Sequence, residues 1–306
     1  MMRIAVTGRN GQVVSALIER GNAAGAEILP IGRPEFDLED AAAGLEAIAA
    51  LAPDILISAA AYTGVDKAES EPERAFAANR DGPAALAGLT ARLGIPIVHI
   101  STDYVFDGSK ANPYLETDAT GPLGVYGRSK LEGEQAVEAA NPDHAILRTA
   151  WVYSPFGANF LRTMLRLGED RNTVRVVDDQ VGAPTSALDM ADAILRVAGN
   201  LLAHPGDGRL RGVFHLTGSG WGSWADFATH IFGAATAFGR PPVVVERIPS
   251  SQYSTPAQRP ANSRLDTSRI QAAHGIRMPD WRLSSAQVVE RLLTGGKTES
   301  NQGDTP

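Results

Sequence analysis

Five short runs of β-forming residues, separated by helix-length segments, govern what the first half of this chain can become. They are RIAVTG (3–8), EILPIG (27–32), DILISAA (54–60), IPIVHIST (95–102) and HAILRTAWVY (144–153). Strand and helix in alternation make βαβ crossovers and therefore a parallel sheet. The runs at 54–60 and 95–102 are apolar almost throughout, the pattern of central strands covered by helices on both faces. Helices are expected at about 12–23, 40–51, 72–93 and 126–140. That near 72 opens on Pro72 with acidic residues in its first turn, where the helix dipole favours them. The fold expected is α/β, a doubly wound parallel sheet of Rossmann type over residues 1–153.

After residue 153 the rhythm loosens. VRVVDDQVGAPTS (174–186), the amphipathic ALDMADAILRVAGNLL, the strand-like GVFHLTG and the tryptophan-flanked helix SWADFATHIF suggest a smaller C-terminal α/β lobe over 154–294. This lobe is expected to bind substrate, with the chain able to return to the sheet. The stretch IPSSQYSTPAQRPANSRLDTSRI reads as irregular, SSAQVVERLLTG as a last helix, and 295–306 as a disordered tail. No internal repeat is apparent.

Composition removes several classes of function. No apolar run approaches the ~18 residues that span a bilayer. The chain opens directly on an apolar strand without a secretory leader, so a cytoplasmic protein is expected. There are no cysteines, which excludes thiolate nucleophiles, disulfides and cysteine metal sites. A net charge of -7 without a Lys/Arg-rich tract argues against a nucleic-acid surface. The 6 histidines show no i, i+4 pairing of a metal site, and no metal is expected.

Three places carry chemistry. In AVTGRNGQVV a strand runs into Gly8 and Gly11 and then a helix, so backbone N–H groups could approach a pyrophosphate at the helix N-terminus. Val14 stands where a third glycine usually completes that fingerprint. At the end of the second strand lie Arg33 and Asp37. An acidic group there bonds ribose hydroxyls, and an arginine accommodates the extra phosphate of NADP. A turn arginine and a helix-capping aspartate explain the same residues equally well. In GPLGVYGRSKLEGE, Tyr126 and Lys130 are four apart and share a helix face. An ammonium about 4 Å from a phenol, at an effective dielectric of about 20, favours the phenolate by up to roughly 4 kcal/mol, about 3 pKa units. The fourth strand ends in Ser101, Thr102 and Asp103, where open α/β sheets place ligands. Alternation lets only one of the two hydroxyls face the cleft, and Thr102 is favoured.

Together TGRNGQV, AAAYTGVDKAESEPE, STDYVFDG, YGRSKLEGE, RTAWVYSPFGANF, DDQVGAPTS and RPANSRLDT resemble, in this order, the extended short-chain dehydrogenase/reductase superfamily. Within it they are similar to the dTDP-4-dehydrorhamnose reductase family, to about residue 270. The resemblance implies a catalytic set of Thr102, Tyr126 and Lys130, in which Tyr126 protonates a ketone oxygen and Lys130 holds the cofactor ribose and lowers the tyrosine pKa. It implies a cofactor site of Gly8, Gly11, Gln12, Val13, Asp37, Leu38, Ala61, Tyr62 and Thr63 together with Tyr126 and Lys130, to which the strand-end position adds Arg33. Thr102, Asp103 and Trp151 would meet the sugar. By the resemblance NADH and NADPH can both serve, with Arg33 favouring NADPH, and the implied substrate is dTDP-4-dehydro-L-rhamnose, reduced at C4. No nucleic-acid or membrane partner is expected, and a homodimer stays open. Arg259 and Arg264 are available to a diphosphate or equally are solvated loop residues, while Trp221 and Trp224 read as packing aromatics. Two alternatives remain: a reductase of another dTDP-4-keto-6-deoxy sugar, and a non-catalytic subunit like the regulatory one of methionine adenosyltransferase.

Overall fold

A computed structural model describes residues 1–295; the expected tail beyond Gly295 lies outside the described residues. Strands β1 (Met2–Thr7), β2 (Ala26–Ile31), β3 (Ile55–Ser58), β4 (Ile97–Thr102) and β5 (His144–Thr149) alternate with helices α1 (Gln12–Gly21), α2 (Ala41–Ala50), α3 (Val65–Ala68), α4 (Pro72–Phe76), α5 (Gly82–Leu93) and α6 (Val125–Ala140). Every pairing in the sheet is parallel. The side-chain period of two divides the core. Ile4 and Val6 face one hydrophobic layer, with Leu17 of α1, whereas Ala5 faces the other, with Leu86 of α5.

The single helix expected over 72–93 is interrupted by a π turn at Ala77–Asp81. Pro83 sits in the first turn of α5 and has no N–H to donate to the Asn79 carbonyl four residues back, so the α-helical ladder slips by one residue there. The fifth strand also ends earlier than its composition suggests. It breaks at Trp151, a non-glycine residue at φ +50, and resumes as β6 (Val152–Tyr153).

Helix α7 (Phe160–Asp170) follows, then β7 (Thr173–Val177), β8 (Val181–Gly182), β9 (Thr185–Ser186) and α8 (Ala187–Ala203). The apolar side of α8, with Met190, Ile194, Val197 and Leu201, shares one core with α1 and β1. Strand β10 (Gly212–His215) adds beside β5, giving the order β10-β5-β4-β3-β1-β2. Residues 187–215 are thus built into the sheet layers and not into the lobe. Strand β11 (Gly222–Ser223) leads into α9 (Trp224–Thr236), then β12 (Val244–Ile248), α10 (Ser268–His274) and α11 (Trp281–Thr294). The second core gathers Tyr153, Leu161, Phe227, Ile231, Trp281 and Val289 from β6, α7, α9 and α11. Burial of a side chain such as Phe227 contributes about 1.5–3 kcal/mol. No helix among the described residues is long and apolar enough to cross a membrane.

Candidate active site

The strand order reverses between β1 and β3, and there the cleft opens. Thr7 Oγ1 accepts the N–H groups of Ala59 and Ala60, each at 3.0 Å, and ties the loop after β3 to the end of β1. Gly8 follows at φ +104, a conformation suited to glycine. Gly11 caps α1 without any side-chain bond, and a Cβ on it would meet nothing within 4 Å. The first turn of α1 therefore presents open backbone donors at its positive end, a cradle that fits a pyrophosphate. Val14 is 2% exposed and packs into the sheet core, so the absent third glycine does not hold the helix off the sheet.

On one side of this turn a hollow of about 360 Å³ is lined by Gly8, Arg33, Asp37, Leu38, Ala61 and Tyr62. Asp37 plays the capping role, accepting Glu39 N–H at 3.0 Å, and also receives Arg33 Nε at 2.8 Å. That guanidinium holds the Asp37 carboxyl below its usual range. Arg33 reaches Glu39 as well, at 3.1 Å. Arg9, which sequence reasoning missed, lines the same hollow and pairs with Glu35 at 2.5 Å. Its signal was a basic residue inside the glycine turn. Two exposed guanidiniums beside an acid fit a ribose that carries a phosphate.

The hollow continues through Gly8, Ala60 and Ala61 into a cleft of about 590 Å³. Here the fold brings together Gly11, Gln12, Val13, Thr63, Thr102, Asp103, Tyr126, Lys130 and Trp151. Every residue expected at the site thus lines one continuous cleft.

Tyr126 and Lys130 stand on successive turns of α6, and the helix is held by its neighbours. Glu69 Oε1 accepts Val125 N–H at 2.8 Å. Asn79, in the π turn, accepts Tyr62 N–H at 2.8 Å and donates to Tyr62 O at 3.1 Å and Ser129 Oγ at 3.0 Å. Ser129 in turn donates to Tyr126 O at 2.8 Å, so the cofactor loop and the tyrosine share one network.

The expected effect of Lys130 on the tyrosine is not met. Burial pushes the Tyr126 phenol up to about 12, Asp103 adds to the rise, and the adjacent Thr102 hydroxyl opposes it. Lys130 Nζ instead donates to Ile100 O at 2.7 Å and lies 3.3 Å from His99 Nε2. Burial lowers its own pKa to about 8, against the pull of Glu134. The two hydroxyls of β4 point to different partners: Ser101 donates to Glu134 Oε1 at 2.5 Å, and Thr102 to Asp103 Oδ1 at 3.0 Å. Asp103 is 3% exposed, its Oδ2 has no partner, and burial raises its pKa to about 6.

Trp151 forms the far wall. Its ring stacks on Trp224 at 3.6 Å, and Gly182 lies so close that a Cβ there would come within 2.6 Å of the indole. Trp224 is the packing aromatic expected. Trp221 is not: it is 47% exposed, with the Arg264 guanidinium 5.4 Å from its ring centre. A loop tryptophan finds no core position there. Arg259 is paired with Asp66 at 2.8 Å. Among the described residues no three His, Cys, Asp or Glu are grouped to hold a metal ion.

Comparison with known proteins finds relatives over nearly the whole chain. A family model described as RmlD substrate binding domain matches residues 2–294. A Sinorhizobium fredii protein named dTDP-4-dehydrorhamnose reductase is 51% identical, over 97% of this chain and 99% of its own. One of that name from Salmonella typhimurium is 41% identical, over 96% and 99%. Among solved structures, a dTDP-4-dehydrorhamnose reductase from Clostridium acetobutylicum superposes with a TM-score of 0.87 at 36% identity, covering 95% of this chain and 99% of that one. The Bacillus anthracis dTDP-4-dehydrorhamnose reductase, solved in complex with NADP, gives 0.85 at 32% identity, covering 96% and 100%.

Proposed function

Because the chain belongs to the RmlD substrate binding domain family, with dTDP-4-dehydrorhamnose reductases as relatives over nearly its whole length, we propose that it reduces dTDP-4-dehydro-L-rhamnose to dTDP-L-rhamnose. It is an NADP-dependent oxidoreductase of nucleotide-sugar biosynthesis with a Rossmann-type fold. The observation that carries the substrate reading is the convergence of Thr102, Tyr126 and Trp151 on the cleft that begins at the Gly8–Val13 turn.

Gln12 and Val13 would offer backbone donors to the pyrophosphate. Asp37 and Leu38 would border the adenosine, with Arg33 and Arg9 near its 2′-phosphate. Ala61, Tyr62 and Thr63 would line the path to the nicotinamide end. When bound, NADPH supplies the hydride. Reduction of a ketone to an alcohol also consumes one proton, and Tyr126 gives it to the C4 carbonyl oxygen. With its pKa at about 12 the phenol is fully protonated at neutral pH, so the donor is present in every molecule. Thr102 turns its one hydroxyl proton from Asp103 Oδ1 to the same oxygen, holding it in line with the phenol, and Asp103 and Trp151 orient the sugar. Positioned proton transfer of this kind typically contributes about 10²- to 10⁴-fold. Residues 1–153 act as the dinucleotide half, and most of 154–294 as the half that closes on the nucleotide sugar. Lacking cysteine, the protein suits the reducing cytoplasm.

A coupled assay tests this reading, with dTDP-4-dehydro-L-rhamnose formed in place from dTDP-glucose by the preceding enzymes. NADPH absorbance should fall as dTDP-L-rhamnose appears by NMR. No oxidation with any dTDP-4-keto sugar would contradict it.

A further inference from the structure

Beneath the cleft, in the middle of β4, His99 is wholly buried and takes no part in the chemistry above. Its Nδ1 lies 3.0 Å from the hydroxyl of Ser58 at the end of β3, itself 1% exposed. Its Nε2 lies 3.3 Å from Lys130 Nζ. We infer that His99 is a positioning residue for Lys130: Ser58 accepts the Nδ1–H, and this fixes the tautomer whose Nε2 lone pair receives a hydrogen bond from the ammonium.

The chemistry of the three groups leaves little choice. An ammonium has three donors and no acceptor, so the ring nitrogen facing it must be unprotonated. In a neutral imidazole the proton then sits on Nδ1, where Ser58 Oγ stands ready. An imidazolium is excluded, because burial together with the charges of Lys130 and His144 holds His99 well below its ordinary range. Lys130 is 2% exposed and has two protein acceptors, Ile100 O and His99 Nε2. A buried charge depends on such partners. Of the other ionisable groups, Glu134 on α6 acts on Lys130, His144 on β5 acts on His99, and Tyr126 and Asp103 line the same cleft as Lys130, while Arg148 on β5 is paired with Glu134. Glu134 is already engaged, accepting Arg148 Nε at 2.9 Å, Arg148 Nη2 at 2.6 Å and the Ser101 hydroxyl. His99 is therefore the acceptor whose removal leaves the ammonium most poorly supported.

This inference rests on the reductase reading where it concerns rate, and its first test does not. In the intact protein labelled with ¹⁵N, the imidazole shifts of His99 should show Nδ1 protonated and Nε2 accepting, unchanged between pH 6 and 8. The opposite tautomer, or a ring that titrates in this range, overturns the inference whether or not the enzyme turns over.

The second test is kinetic, and it rests on Lys130 holding the cofactor ribose as the ammonium, the role that the family resemblance implies. In His99→Leu the alkaline limb of kcat should move down by about one pH unit, a loss of turnover that grows with pH to about tenfold. His99→Gln, whose Oε1 reaches toward the Nε2 position, should restore most of the shift, and Ser58→Ala should move the limb the same way by less. A folded His99→Leu protein with the wild-type pH profile would overturn the proposal. Should His99→Leu not fold, Ser58→Ala and the ¹⁵N tautomer decide.

Discussion

Arg33 faces Asp37 and Glu39, and Arg9 faces Glu35 across the same hollow. All of these ion pairs are largely exposed, and pairs of this kind contribute about 0–1 kcal/mol. Either guanidinium can therefore leave its carboxylate for a phosphate at small cost, while Asp37 remains to bond an unphosphorylated ribose. The double substitution Arg9→Ser, Arg33→Ser should raise KM for NADPH by about ten- to a hundredfold and leave that for NADH within about threefold. Equal changes for both coenzymes, measured side by side, would contradict this account of preference. Arg33 was legible because a strand-end position has a known use in this fold. Arg9 was not, because its placement depends on how the Gly8 turn aims the chain. The tyrosine pKa was misread for a similar reason: four-residue spacing puts two side chains on one face, but it does not say that the longer one will bury its charge under a strand carbonyl.

At the scale of elements, the position of Tyr126 depends on how closely α6 can approach its neighbours. A Cβ on Gly127 would come within 2.3 Å of Tyr104 O, and one on Gly133 within 2.0 Å of Asn79 O. That second carbonyl is the one Pro83 frees, so the π turn and Gly133 are two halves of one contact. Gly133→Ala tests it. Alanine gains up to about 1 kcal/mol of helix propensity. Forcing a methyl onto a backbone oxygen costs about 1–3 kcal/mol or more, so the clash should win. The midpoint of urea unfolding should fall, and a more stable variant would contradict the packing described. The sequence showed where this pair of helices begins and ends. The π turn was written there too, in Pro83, but the 3.6-residue period of a long alanine-rich run continues across a single proline and hides it.

Across the whole molecule, Gln12 links the two cores. Its Oε1 accepts Ser154 Oγ at 2.7 Å and Asn159 Nδ2 at 3.0 Å, and its Nε2 donates to Val152 O at 3.4 Å. Asn159 also caps α7, accepting Arg162 N–H at 3.1 Å, so the pyrophosphate turn and the lobe are set by one amide. Gln12→Ala removes bonds worth about 1–3 kcal/mol where partners are buried. KM should rise for both NADPH and the sugar nucleotide, by about tenfold or more. A rise for NADPH alone would show that the link does not join the two sites. The sheet and its switch point were readable from the first five strands, since each carries its own periodicity. The return of α8 and β10 was not, because an amphipathic helix does not declare which apolar surface it will cover. The central claim is that Tyr126 supplies the proton. In Tyr126→Phe the ring and its packing remain while the hydroxyl is lost, so the Kd for NADPH should stay within about twofold and kcat should fall by about 10²-fold or more. A Tyr126→Phe enzyme with wild-type turnover would place the acid elsewhere.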